Sequence, residues 1–389
     1  MALKTVLIII IVLVVIFIIL PFVLNMVGIP IFQFGSVGGG SSRSAGEGLL
    51  ISEDGGETWA NAGFSEERRD AFPKEIFGLT FHPEDPNVIF LASKSSGIWR
   101  SDTRGKSWKK MIDESGTLDP RADIYKVSPS ASNPKVIYAL IFQNNRGRVI
   151  KSENNGKNFK EIYSETADKI GIFDIYVSPS SDSHVVIVTG RGAVLESRDG
   201  GESWRVKKWF TDPLVKLLVN PRNSAEIMVV TSRGVIFRSL DGGENWLEIK
   251  ESVEGTPGGK TAPVFSYPPR ESFSFFGSRA GSVSKILTVD PNNPSIIYTV
   301  PSNGLLKSTN SGTSWRKIQL LLPQTSSINS LAIHPRDSQT VFVATGAQLH
   351  VSRDGGANWS IDILPTKSSV KTLYIHPLMP EVMFAVLGR

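Results

Sequence analysis

The chain has 389 residues, 40% of them hydrophobic and 20% charged, which is the composition of a folded body rather than a disordered one. It has no cysteine, which excludes a disulfide framework, a zinc-thiolate site and a cysteine nucleophile. The formal charge of +5 favours acidic partners, but Lys and Arg are dispersed without a basic run or arm, and nucleic acid is not expected as a partner.

The first element is an unbroken apolar run from Val6 to Leu24, with no charged residue between Lys4 and Arg43. At about 1.5 Å per residue a helix over this run spans roughly 30 Å, the hydrocarbon thickness of a bilayer. The run is longer than the apolar core of a cleaved signal peptide, and the residues directly after it, Asn25 to Phe34, offer no small-x-small site. Residues 1–28 therefore read as a transmembrane signal anchor, with the membrane contact at 6–28. Lys4 on the short side places the rest of the chain outside the cytoplasm, in the periplasm or at the cell surface. Residues 29–45 read as a Gly/Ser-rich linker.

From residue 46 onward one phrase recurs: Ser-x-Asp/Asn-x-Gly-x-x-Trp. Its copies are Ser52–Trp59, Ser101–Trp108, Ser152–Phe159, Ser197–Trp204, Ser239–Trp246, Ser308–Trp315 and Ser352–Trp359. The first and last serines are 300 residues apart, a mean spacing of 50, which signals a solenoid or a propeller. A second phrase alternates with the first: a short β-branched and aromatic run, a proline turn, and another such run. Its prolines are Pro83, Pro129, Pro179, Pro221, Pro291, Pro335 and Pro377. Each unit then has four strands, A to D. A and B join at the proline, B and C at a loop usually holding glycine (Gly97, Gly147, Gly192, Gly234, Gly304), and C and D at the box. The chain enters the array at a C–D pair and leaves at an A–B pair. Joining these halves in one sheet closes a ring and hides its edges. The expected fold of 46–389 is an all-β, seven-bladed propeller of four-stranded antiparallel blades, the last blade shared by the two ends and the whole preceded by one membrane helix.

The boxes resemble the Asp-box, or bacterial neuraminidase repeat. The whole unit is most similar to propellers of the sortilin amino-terminal type and of the photosystem II assembly and stability factors. The resemblance implies a propeller fold and no single activity, since sialidases, xyloglucanases, sorting receptors and assembly factors share the box. The sortilin type has ten blades and a cysteine-rich companion, where this chain has seven boxes and no cysteine. Sialidases of the superfamily also carry an Arg-Ile-Pro element, which does not occur here.

Box residues Asp54, Asp102, Asp199, Asp241 and Asp354, with Trp59, Trp108, Trp204, Trp246, Trp315 and Trp359, are expected to build turns rather than a metal centre, because the aspartates occur once per blade. His82, His334 and His376 each precede a turn proline, where other units have Ser128, Ser178, Asn220 and Asp290, and read as polar turn caps. Tyr125, Tyr176 and Tyr374 in strand A, and Tyr138 and Tyr298 in strand B, read as packing. Asp113, Asp119, Asp123, Asp174 and Asp212 lie in or near D–A loops and are the carboxylates that a xyloglucanase-like reading would use. In an antiparallel meander the boxes and proline turns share one face, and the B–C and D–A loops share the other. Two groups fall on that loop face. Lys94, Arg146, Arg148, Arg191 and Arg233 mark successive B–C turns, expected as an arc around the channel. Phe265, Tyr267, Phe273, Phe275 and Phe276 lie in a D–A insertion at 251–282. These residues suit a protein partner, itself a candidate membrane protein. The reading is a non-catalytic, membrane-anchored binding scaffold without catalytic residues, metal or cofactor. A glycan-binding or glycoside-hydrolysing propeller is the alternative.

Overall fold

A computed structural model describes residues 48–67, 71–249, 286–300, 304–320 and 327–388. The apolar run at 6–24, the linker and the five loop aromatics from Phe265 to Phe276 lie outside these residues. Among the described residues no helix is long and apolar enough to cross a membrane.

Among the described residues, twenty-eight strands form seven four-stranded sheets. Blades 1 to 6 span 76–110, 123–164, 172–209, 214–248, 287–318 and 330–363. Blade 7 joins 370–387 to 49–61, with Leu49–Ser52 antiparallel to Met383–Leu387. The ring is therefore closed by the half-units at its two ends. Strands A are innermost: those of blades 2 and 3, 3 and 4, and 6 and 7 bond one another directly. Strands D form the outer edge and are the most exposed, as at Ser360–Ile363.

The apolar core lies between blades. One cluster joins Leu49, Ile51, Phe384 and Val386 of blade 7 to Ile76, Leu79, Leu91 and Trp99 of blade 1. Equivalent clusters fill the other interfaces. A blade thus has no sufficient core of its own, and stability is shared between neighbours.

The boxes build the C–D turns. In all seven, the serine Oγ accepts the buried N–H of the glycine four residues on, at 2.8 Å. In six copies the same hydroxyl donates to the Asp or Asn, whose carboxylate or amide oxygen accepts the N–H four residues beyond it. These bonds hold Asp54 and Asp241 ionised down to about 2 and lower Asp199 and Asp354 as well. The second copy corrects the sequence assignment. Thr103, not Asp102, holds the box position and accepts the Ser107 N–H at 3.0 Å. Asp102 sits one place earlier, points the other way and pairs with Arg100 and Lys109.

Positions four and five of every box are left-handed. Position five is always glycine (φ +99 at Gly201), and there the preceding blade packs against the turn: a Cβ on Gly201 would come within 2.4 Å of Ile162 Cδ1. Position four tolerates Arg104, Asn155 and Ser311, and its N–H bonds the A–B turn or the start of strand B of the same blade in all seven copies. The aromatic then closes the turn. Trp108 is fully buried and donates to the Ala62 and Gly105 carbonyls, while Trp204 donates to Ile162. Phe159 keeps the burial without the donor.

The proline turns divide into two kinds. In blades 3, 4 and 6 they are two-residue hairpins between Ser178 and Ser181, Asn220 and Asn223, and His334 and Asp337. In blades 1, 2, 5 and 7 they are wider, with a second proline (Pro86, Pro134, Pro294, Pro380) just after the residue whose carbonyl closes the turn. The capping role of the histidines is borne out. His82 Nδ1 accepts from Glu84 and Asp85, His334 Nδ1 from Arg336, and His376 Nδ1 from Leu378 and Met379. In blade 2, however, the cap is Ser130 rather than Ser128, and Pro129 belongs to the strand, opposite Ile137.

Candidate functional site

The loop face forms as the topology requires: B–C turns and D–A loops bond each other at Gly97 to Ala122, Lys169 to Asn145, Ser232 to Pro213 and Leu364 to Ala347. On it, each cation singled out in the sequence has a local partner. Lys94 pairs with Glu75 at 3.2 Å, Arg146 with Asp168 at 2.7 Å and Arg233 with Asp212. Arg191 donates to Thr166 at 3.2 Å and lies over the Trp209 ring at 5.4 Å. Arg148 lies within strand C (Arg146–Ser152), where it pairs with Glu161 on strand D. These side chains belong to turns and strands outside strand A, so they rim the face rather than line the channel. Gly147 also lies in that strand. The left-handed residues of this B–C turn are Asn144 and Asn145.

Four of the five loop aspartates hold loops in place. Asp113 accepts from Ser115, Leu118 and Phe159; Asp119 accepts from Arg121; Asp123 accepts from Ser95; and Asp212 takes Arg233. Asp174 is different, because it is buried in strand A of blade 3 (Ile172–Ser178).

In five of the seven inner strands the register slips by one residue near the loop face. The slips lie at Phe77, Tyr125, Phe173, Val215 and Lys371. A bulge of this kind re-aims the side chain that follows it. The following residues are Gly78, Lys126, Asp174, Lys216 and Thr372, and the register places Ser330 at the same point of blade 6. Three of them, Lys126, Asp174 and Ser330, reach across to the next inner strand. Lys126 Nζ donates to Asp174 Oδ1 at 2.6 Å and to the Ile175 carbonyl at 2.9 Å. Asp174 Oδ2 accepts the Leu217 N–H at 3.0 Å, and Ser330 Oγ accepts the Leu373 N–H at 2.9 Å. Between blades 7 and 1, the Tyr374 hydroxyl takes the Leu79 N–H, and Gly78 leaves it room, since a Cβ there would lie 3.1 Å from the oxygen.

Three charges therefore meet at the channel wall. Burial opposes ionisation of Asp174, yet Lys126 and Lys216 hold its carboxyl below the usual range. Lys216 Nζ lies 3.6 Å from Asp174 Oδ2, its side chain is 41% exposed, and Asp174 raises its ammonium above the ordinary lysine range. Toward the loop face, Phe77 stacks on Tyr125 (centroids 5.5 Å, planes 12° apart), and Tyr125 meets Phe173 edge-on at 5.4 Å. This ring escaped the sequence reading. Its signal is a charged residue inside an apolar inner strand, as in Ile-Tyr-Lys-Val, Phe-Asp-Ile and Val-Lys-Leu. Tyr138 and Tyr298 are buried in strand B, as expected of packing residues.

A family model described as Sortilin, neurotensin receptor 3 matches residues 147–263. No curated protein matches the chain in sequence. Among solved structures, the GH74 xyloglucanase from Xanthomonas campestris superposes with a TM-score of 0.61 at 14% identity, over 80% of this chain and 50% of that one. YCF48 bound to a D1 peptide gives 0.57 at 15% identity, over 81% and 94%. YCF48 from Cyanidioschyzon merolae gives 0.55 at 14%, over 80% and 95%. The chain thus spans about half the length of the xyloglucanase and matches YCF48 almost end to end. At these identities the likeness is one of fold, and it bears out the resemblance to Asp-box propellers of the sortilin and assembly-factor type.

Proposed function

We propose that this chain is a non-catalytic, protein-binding propeller, anchored in a membrane by residues 6–28 with its blades outside the cytoplasm, that binds another membrane protein through its loop face. The observation that carries this reading is the division of the molecule into two unlike faces. One is built from seven near-identical box turns whose polar groups are consumed in their own hydrogen bonds. The other gathers irregular loops, paired cations and the charged channel wall. The bound D1 peptide in YCF48, a chain of similar extent, supports a protein ligand. Affinity purification of the full-length chain from native membranes tests it. A membrane protein should co-purify with the wild type and be lost from an Arg146, Arg191 and Arg233 triple alanine variant. An unchanged partner list would remove these arginines from the interface.

The superposition on a GH74 xyloglucanase favours one second reading, a glycan-acting propeller. Turnover of any xyloglucan-derived or fluorogenic glycoside by the purified chain would establish it and displace the first.

A further inference from the structure

We propose that the channel mouth on the loop face is a binding site for a carboxylate carried on an aromatic or apolar group, with Lys216 and Lys126 taking the carboxylate and the Phe77, Tyr125 and Phe173 arc taking the group that bears it.

The charges select the ligand. Asp174 is held on both oxygens: Oδ1 accepts from Lys126 and from the Ile175 N–H, and Oδ2 accepts from the Leu217 N–H with Lys216 beside it. Lys216 Nζ stands 3.6 Å from Asp174 Oδ2, a longer ion pair than the 2.6 Å bond of Lys126, so its ammonium is the more loosely held of the two. Within this cluster of described residues, two ammonium groups against one carboxylate leave one positive charge, which suits a monoanion. Two lysines disfavour a metal cation, and a dianion would remain half compensated. Lys126 and Lys216 are 34% and 41% exposed, so both can be reached.

The aromatic arc sets what flanks the anion. Each ring residue directly precedes a position of the inner ring: Phe77 before Gly78, Tyr125 before Lys126, and Phe173 before Asp174. One residue along a strand is about 3.3 Å, so the rings stand one step nearer the loop face than the charges. None of the three is fully buried, and the Tyr125 hydroxyl has no partner among the described residues. A planar or apolar group entering from the loop face meets the rings first and brings its carboxylate down to Lys216.

Such a ligand could be the last residue of a polypeptide or a free aromatic acid. Only the polypeptide form rests on the protein-binding function proposed above. Titration calorimetry on the full-length chain in detergent separates them, with four probes: 3-phenylpropionate, a pentapeptide ending in Phe with a free carboxylate, the same peptide as its amide, and acetate. At least one of the two aromatic carboxylates should bind. Peptide binding marks a chain end as the ligand, and phenylpropionate alone marks a small acid. The amide and acetate should bind at least tenfold more weakly. Lys216→Gln should lose at least tenfold and Lys216→Arg should retain binding, with unchanged melting profiles showing that both variants fold. No binding by either aromatic acid, amide binding equal to that of the acid, or an unaffected Lys216→Gln would overturn the site. That failure is distinct from failure of the loop-face arginines to hold a partner, which is read by co-purification.

Discussion

At the scale of single residues, the box shows how a short phrase fixes a turn without supplying chemistry. Its serine has a double task, accepting the glycine N–H at 2.8 Å in every copy while donating to the Asp or Asn in six. Its two left-handed positions differ in what they tolerate. At position five of the fourth copy, Gly201 has φ +99 and lies under Ile162, so Gly201→Ala meets both backbone strain and a clash. The expected loss is about 2–4 kcal/mol. At position four of the fifth copy, Gly242 has φ +73 and open space around its would-be Cβ. There Gly242→Asn should cost less than about 1 kcal/mol, as Asn155 already occupies the equivalent place. Urea unfolding of the full-length variants in detergent checks both. Equal losses would mean that interblade packing does not set the glycine requirement.

At the scale of elements, strand order and box turns were legible because β-branched and aromatic runs and a fixed spacing from Ser to Trp or Phe repeat seven times. What was misread depends on offsets of one or two residues. Asp102 stands one place before the box position that Thr103 fills. Pro129 stands two places before the point where the other turns begin, which moved the cap from Ser130 to Ser128 in the sequence reading. The inner ring was missed for a related reason: a bulge in strand A changes which side chain faces the channel, and its trace in the sequence is a charged residue inside an apolar run. The cations were found as a group, but their acidic partners come from loops that are distant in sequence, as Arg233 and Asp212 are. The second B–C turn shows the same limit. Gly147 looked like the turn residue, yet Asn144 and Asn145 (φ +51 and +65) make the two-residue hairpin. Asparagine tolerates this conformation, and Asn-Gly suits it better than Asn-Asn. Asn145→Gly should therefore raise stability, by up to about 1 kcal/mol. A measured loss would show that the Asn145 side chain contributes more than its backbone.

At the scale of the whole molecule, stability depends on closing the ring, because each core cluster is shared between blades. The seam between blades 7 and 1 carries a polar contact that spans 290 residues: His376 Nε2 donates to the Pro86 carbonyl at 3.1 Å. His376 Nδ1 already accepts from Leu378 and Met379, so the ring is held neutral with its proton on Nε2, and Phe81 packs against it at 4.6 Å. Burial lowers the His376 pKa below its ordinary value of 6.5, and only the Pro86 bond and Glu381 oppose that shift. The folded state therefore binds fewer protons than the unfolded chain. The seam's contribution is complete above about pH 6.5 and is lost as the pH falls below that value toward the lowered folded pKa. His82 and His350 are shifted in the same direction by burial, so the wild type should lose stability between pH 7 and 5. His376→Asn isolates the seam. Its amide oxygen can cap the turn as Asn220 does, but it neither titrates nor reaches Pro86 in the same way. At pH 7 the wild type should be the more stable of the two, by about 1 kcal/mol for one buried hydrogen bond. The difference should shrink or reverse by pH 5, measured as paired unfolding midpoints. A difference that stays constant across this range would show that the seam histidine does not titrate with folding.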